Sequence, residues 1–297
     1  MVQIKNKLLE KTAKESFEFI RGSYRELLTN IFRVEVLSLV VILITLILGG
    51  GIIFALVGGF SIANMGIPLI LALIGILIIG FFMAAVAHSI AYNVVDGIFK
   101  RKETPLLDTF SENMMPMLKY VIVSTIICIV TFGPFILAYL AFTGAISLGT
   151  SQTTGLIATS LAEIIFRLVI AVVAAVVYLF TQFAIFELLI GKRGIIESFG
   201  NSFSIVKKNP IETIVFSFVL WTVETAVQVP FIIVGVGGAV LLLFVMGFIG
   251  TISPIMMIPL VLIALIAILI LYLLYVTVTT ALVFSAQYIY WNKIREV

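Results

Sequence analysis

Nearly all the basic residues of this 297-residue chain are gathered into four short segments, and long apolar stretches separate those segments. Lys5, Lys7, Lys11, Lys14, Arg21, Arg25 and Arg33 fall within residues 1–33. Lys100, Arg101, Lys102 and Lys119 fall within 100–119, Lys192, Arg193, Lys207 and Lys208 within 192–208, and Lys293 and Arg295 within 293–295. Arg167 alone stands apart. A helical crossing of a bilayer takes about 20 apolar residues, and each of the three intervening blocks is long enough for two. The connections inside the blocks (58–66, 143–160 and 233–254) contain no charged residue. Basic loops are retained on the cytoplasmic side of a membrane. The pattern therefore predicts an all-α, multi-pass protein of the cell membrane: six crossings arranged as three tandem hairpins, with both termini cytoplasmic.

Composition agrees with lipid as the solvent. The chain is 62% hydrophobic and 11% charged, whereas a soluble domain carries about 25% charged residues. The single cysteine, Cys128, lies in an apolar run, so neither a disulfide framework nor a thiolate metal site is expected. The net charge of +3 is concentrated on one face, where anionic lipid headgroups are the expected partner. It is not interleaved with aromatics in the manner of a nucleic-acid surface. No cleavable signal peptide is expected. The first apolar run, 34–57, is too long for one, lacks a small-residue exit, and reads as an uncleaved signal anchor.

The expected crossings are 34–57, 67–95, 119–142, 160–189, 211–232 and 256–290. They sit between an amphipathic cytoplasmic segment (1–33) and a short cytoplasmic tail (292–297), with 34–291 as the six-span membrane domain. The stretch 233–254 carries Gly235, Gly237, Gly238, Gly247, Gly250 and Pro254. These residues weaken helices, so a re-entrant or interfacial segment is expected on the outer side. Pro134 and Pro230 should kink their helices, and the last helix, longer than a bilayer, should tilt or project. The glycines at 49–51, 58–59, 75 and 80 read as close helix packing or flexible turns.

Two cytoplasmic stretches have helical periodicity. Leu106, Leu107, Phe110, Met114 and Met117 share the spacing of Ile195, Ile196, Phe199, Phe203 and Val206, which marks one face of a helix. The opposite faces carry Asp108, Glu112 and Asn113 in the first, and Glu197, Asn201, Ser204 and Lys207 in the second. Both are expected to lie in the interface as amphipathic helices. Thr104-Pro105 should cap the first and Arg193-Gly194 should open the second more loosely. The same stretches carry a repeat. Asp108-Thr109-Phe110 aligns without a gap with Glu197-Ser198-Phe199, and a weaker copy is Glu15-Ser16-Phe17. Each copy precedes two crossings, which suggests three parallel units of interfacial helix plus hairpin. The units either form a cytoplasmic collar that docks a partner or simply anchor the hairpins.

Charges inside spans are costly and mark candidate sites. Glu163 and Arg167 lie one turn apart on the fourth crossing. By helical rise, Glu224 on the fifth crossing is expected at a similar depth, with Gln228 one turn further out. A polar network of Glu163, Arg167, Glu224 and Gln228 follows, serving either to set helix register or to line a polar cavity. His88, the only histidine, sits near the inner end of the second crossing with Tyr92, Asn93 and Asp96 beyond it. It is a candidate proton relay or simply a satisfied polar residue. Gln182 and Glu187 are expected to snorkel or cap, and Tyr288, Tyr290 and Trp291 to form an interfacial aromatic belt.

No paired-His zinc motif, phosphate-binding glycine loop or nucleophile elbow occurs, so no catalytic, cofactor or metal residue is assigned. The stretch from Gly194-Ile195-Ile196-Glu197-Ser198-Phe199-Gly200-Asn201-Ser202-Phe203 to Lys207-Lys208-Asn209-Pro210 resembles a recurring element of prokaryotic six-helix membrane families. Among these are the membrane domain fused to some glycerophosphodiester phosphodiesterases, and relatives of which many are archaeal. The resemblance implies a six-span fold and no activity, and it transfers no catalytic residue. The expected function is non-enzymatic: passage or accommodation of a small or lipidic ligand between hairpins. The alternative is a scaffold that recruits partners or anionic lipids through its basic helices. A membrane-embedded enzyme is disfavoured.

Overall fold

The computed structural model describes residues 2–57, 66–149, 152–250 and 257–295. Among these residues the only regular structure is helix, joined by short turns, with no strand. In chain order the helices are α1 (Val2–Val57), α2 (Gly66–Lys100), α3 (Leu106–Gly149), α4 (Gln152–Thr181), α5 (Ala184–Leu189), α6 (Ile195–Lys208), α7 (Pro210–Gly250) and α8 (Met257–Arg295). Six of them, α1, α2, α3, α4, α7 and α8, are long and apolar enough to cross a membrane. Such segments form helices because only a helix satisfies its own backbone hydrogen bonds within hydrocarbon.

Several boundaries differ from the expected ones, and the cause is common to them. A helix does not stop where hydrophobicity stops; it stops where its backbone finds another partner. Residues 1–33 are therefore not a separate element, because α1 runs through the 33/34 boundary. The first interfacial stretch is likewise the opening of the 44-residue α3. The expected re-entrant segment does not form over the described part of 233–254, because α7 continues as one 41-residue helix to Gly250. Its glycines sit among Val, Leu, Ile and Phe, and a membrane helix tolerates them where water cannot compete for the backbone. The rest of that segment, and the connection at 58–65, lie outside the described residues. Pro134 and Pro230 are accommodated inside α3 and α7. The fourth crossing does break, at Gln182-Phe183, so that α4 ends at Thr181 and the six-residue α5 follows.

Residues 1–114 with 214–297 form one compact unit, and 115–213 form the other. In the first, α1 packs along α2 and α8, and α2 touches α8. Gly49 lets α1 approach α2 closely, since a Cβ there would lie 2.7 Å from the Ile76 Cδ1. The core of this unit gathers at its basic end around Leu27, Ile31, Ile90, Tyr288, Tyr290 and Trp291. The expected aromatic belt is therefore overturned: Tyr288, Tyr290 and Trp291 are at most 1% exposed. Tyr290 stacks on Phe216 with centroids 3.9 Å apart, and the Tyr288 hydroxyl donates to Asp96 at 2.7 Å. Aromatic rings bury large areas when their polar tip finds a partner. In the second unit, α6 packs against α5 and α4.

Candidate functional site

The buried polar groups of the first unit converge on α1, α2 and α8. Glu35 and Ser38 lie one turn apart on α1, and Ser38 returns its hydroxyl to the Val34 carbonyl at 3.0 Å. Glu35 is only 6% exposed. Its carboxylate receives His88 Nδ1 at 2.8 Å and the Thr280 hydroxyl at 3.4 Å. His88 is about one-third exposed (34%), so the pair has a buried acid and an accessible imidazole. Phe284 closes one side: its ring lies 5.3 Å from His88, edge-on, and stacks on Tyr92 at 4.0 Å. A buried carboxylate persists only with a partner of this kind. Glu35 was missed as a site residue because it is the second residue of a run read as apolar. The available signal was a lone charge at the head of that run, together with the only histidine.

Next to His88 and one turn further on, Ser89 and Asn93 accept hydrogen bonds from the Asn113 amide at 2.9 and 3.2 Å. Next comes Asp96, bridging the Lys100 ammonium at 2.7 Å and the Tyr288 hydroxyl. Polar side chains thus ascend α2 from position 88 to 100, each with a named partner.

In the two amphipathic stretches the expected polar residues Asp108, Glu112, Glu197, Ser204 and Lys207 are exposed and Met117 and Val206 of the apolar faces are buried, but a stripe of small polar residues is buried beside them. Asn113 is 1% exposed, and Thr109, Ser198 and Ser202 are also buried, whereas Leu107 is 74%, Ile196 84% and Phe203 50% exposed. The small polar stripe faces the protein and much of the apolar face is left outward. For a helix in a membrane interface this is the sensible orientation, because lipid takes the apolar side and the backbone takes the hydroxyls. Ser202 donates to the Phe180 carbonyl at 2.7 Å and accepts from the Phe183 amide at 3.2 Å, bridging the break between α4 and α5. Thr104 does not cap α3; its hydroxyl goes to the Asn93 carbonyl at 3.3 Å.

Along 106–111 and 195–200 the alternation of buried, half-buried and exposed positions is the same, residue for residue. Thr109, Ser198 and the third hydroxyl, Ser16, are all buried. The acidic positions differ. Glu15 pairs with Lys293 at 2.6 Å, Glu197 pairs with Arg193 at 3.6 Å, and Asp108 is exposed. Of the aromatics, Phe110 and Phe199 are half-buried and Phe199 stacks on Tyr120 at 5.7 Å, while Phe17 is 65% exposed.

Of the expected intramembrane network, Glu163 and Arg167 are joined as an ion pair one turn apart on α4. Glu224 and Gln228 lie on α7 in the other compact unit, exposed there. Glu187 does not snorkel. It is 1% exposed, and Arg193 reaches its carboxylate at 3.2 Å. Gln182 is buried and donates to the Leu179 carbonyl at 3.3 Å.

Six apolar helices, a polar centre between three of them and no strand among the described residues define the class: an all-α polytopic membrane protein. In comparison with known proteins, the chain matches no family model, no curated protein and no solved structure.

Proposed function

We propose that this is a non-enzymatic multi-pass protein of the cell membrane, with both termini cytoplasmic, that accommodates a small or lipidic ligand at a polar centre formed by Glu35 and His88. The observation that carries the reading is the pairing of a 6%-exposed carboxylate with a one-third-exposed imidazole between apolar helices. An ionisable pair between membrane-crossing helices is a functional-site signal, and a structural register pin would not need to leave its imidazole accessible. The matched burial of 106–111 and 195–200, and the buried Ser16, support reading the chain as three tandem units of amphipathic helix and hairpin.

Accessibility tests this directly. In a Cys128→Ala background, His88→Cys is treated with a membrane-impermeant thiol reagent applied to sealed vesicles from each side. Labelling from one aqueous side is expected, and a Glu35→Gln partner variant should leave it in place. No labelling from either side would place position 88 against lipid or sealed protein and end the proposal.

The scaffold reading has its own support, in the unpaired basic groups at the end of the first unit. Those groups carry the inference below.

A further inference from the structure

At the basic end of the first unit, α2 turns into α3 through an elbow, 101–105, that faces α1. The elbow is a helix-terminating motif in which Lys102 N–H bonds the Gly97 carbonyl at 2.8 Å and Arg101 N–H bonds the Ile98 carbonyl at 3.2 Å. The residue between those two closures normally adopts the left-handed conformation and is usually glycine. Here it is Arg101, with φ 56. A guanidinium is therefore held at a position that costs a side-chain-bearing residue backbone energy. Gly97 is needed beneath it, because a Cβ there would collide with the Thr104 hydroxyl and come within 2.8 Å of the Lys102 carbonyl.

Between this elbow and α1 lies a cavity of about 630 Å³. Three cations line it: Arg33 from α1, and Arg101 and Lys102 from the elbow. Among the described residues none of the three has an ion-pair partner; Arg33 makes only a 3.4 Å contact with the Asn30 side chain. Two carboxylates, Glu26 and Glu103, share the rim, so the formal charge of the ionisable lining is +1. The inner wall is apolar, built of Val94, Ile98 and Leu106.

We propose that this cavity binds a singly charged phosphate group presented beside apolar matter, as a phospholipid headgroup presents it. Arginine and lysine supply the directional donors that phosphate oxygens take. The two carboxylates lower the field so that a monoanion is matched and a polyanion is not. The apolar wall suits the glycerol and first methylenes of a chain. The cavity is also placed for this source, at the end of helices whose next turns are apolar. A soluble phosphate ester has the same anionic chemistry without the chain, and the experiment separates the two. This inference does not depend on the Glu35–His88 reading.

The full chain is purified in detergent and placed in mixed micelles of phosphatidylglycerol and phosphatidylcholine. Retained lipid is read by native mass spectrometry, and the thermal midpoint is followed in parallel against inorganic phosphate. Selective retention of phosphatidylglycerol is expected. Arg101→Gly, whose backbone suits glycine and so preserves the elbow, should lower that retention about tenfold, and Arg33→Ala by a similar factor, as loss of a charge-assisted hydrogen bond implies. A midpoint raised by inorganic phosphate, and abolished by the same two substitutions, would assign the site to the soluble source with the same chemistry. The proposal is overturned if neither lipid nor phosphate binds selectively, or if both variants retain phosphatidylglycerol as the parent chain does while remaining folded.

Discussion

The elbow at 101–105 and the elbow at 190–194, each with the helix turns that flank it, are built from similar parts and end in opposite electrostatic states. Each closes a helix on a basic residue in the left-handed region, Arg101 at φ 56 and Lys192 at φ 53. Each leads into a helix that buries hydroxyls or amides and turns apolar side chains outward. In the second elbow the next residue, Arg193, folds back between Glu187 and Glu197. In the first, Arg101 and Lys102 form no ion pair among the described residues and open onto a cavity that Glu26 and Glu103 also line. The difference comes from one residue. Glu187 sits in α5 beneath the second elbow, whereas the acid beneath the first, Asp96, is already occupied by Lys100 and Tyr288. A cation neutralised by a buried acid fastens the fold. A cation left open at no structural gain is available to a ligand.

The comparison would break first at Arg193. Removing it as Arg193→Ala leaves the Glu187 carboxylate buried without its guanidinium, which should cost about 3 kcal/mol, near the lower end for breaking a buried pair. Thermal or denaturant unfolding in detergent reads this. A loss below about 0.5 kcal/mol, the range of ordinary surface changes, would mean that the second elbow is no more fastened than the first.

A middle-sized effect concerns the buried polar stripes that make the elbows alike. Ser202→Ala removes the donor to the Phe180 carbonyl and the acceptor of the Phe183 amide, and Asn113→Ala removes the donor to Ser89 and Asn93. Each should destabilise by about 1–3 kcal/mol, the cost of an orphaned buried group. Equal losses in the same unfolding assay sharpen the parallel. A loss confined to one of them would show that only that elbow uses its stripe to hold the helix.

The smallest effect, and opposite in sign, belongs to Arg101→Gly. Relief of a left-handed non-glycine residue outweighs the extra unfolded-state entropy of glycine, for a net gain of about 0.5–1 kcal/mol. Stabilisation accompanied by weaker phosphate binding would mark Arg101 as a residue kept for something other than the fold. Destabilisation would place it with Arg193 as a fastening.

Much of the architecture was legible in residue order. The six apolar runs, the alternation of basic clusters and the pairing of 106–110 with 195–199 all follow from one-dimensional pattern. The site was less legible, and for a specific reason. Glu35 and His88 are 53 positions apart, and their meeting depends on how α1, α2 and α8 are rotated about their axes. Each residue turns a helix by about 100°, the consequence of 3.6 residues per turn. In a soluble helix the polar face announces that rotation. In a membrane helix both the lipid-facing and the protein-facing sides are apolar, so the announcement is lost. The same ambiguity put Asn113 on the polar face with Asp108 and Glu112 and Trp291 in an interfacial belt, when both are buried.

Hydrophobicity and charge order by themselves determined that this chain is helical and polytopic, because burying an unbonded backbone in hydrocarbon leaves a polypeptide almost no other choice. Only the tertiary structure decided which acid meets the histidine, which stripe of the amphipathic helices turns inward and which basic residues form no ion pair among the described residues. Those outcomes rest on helix rotation and on competition between neighbouring carboxylates for the same cations, and neither quantity is written in the order of the residues.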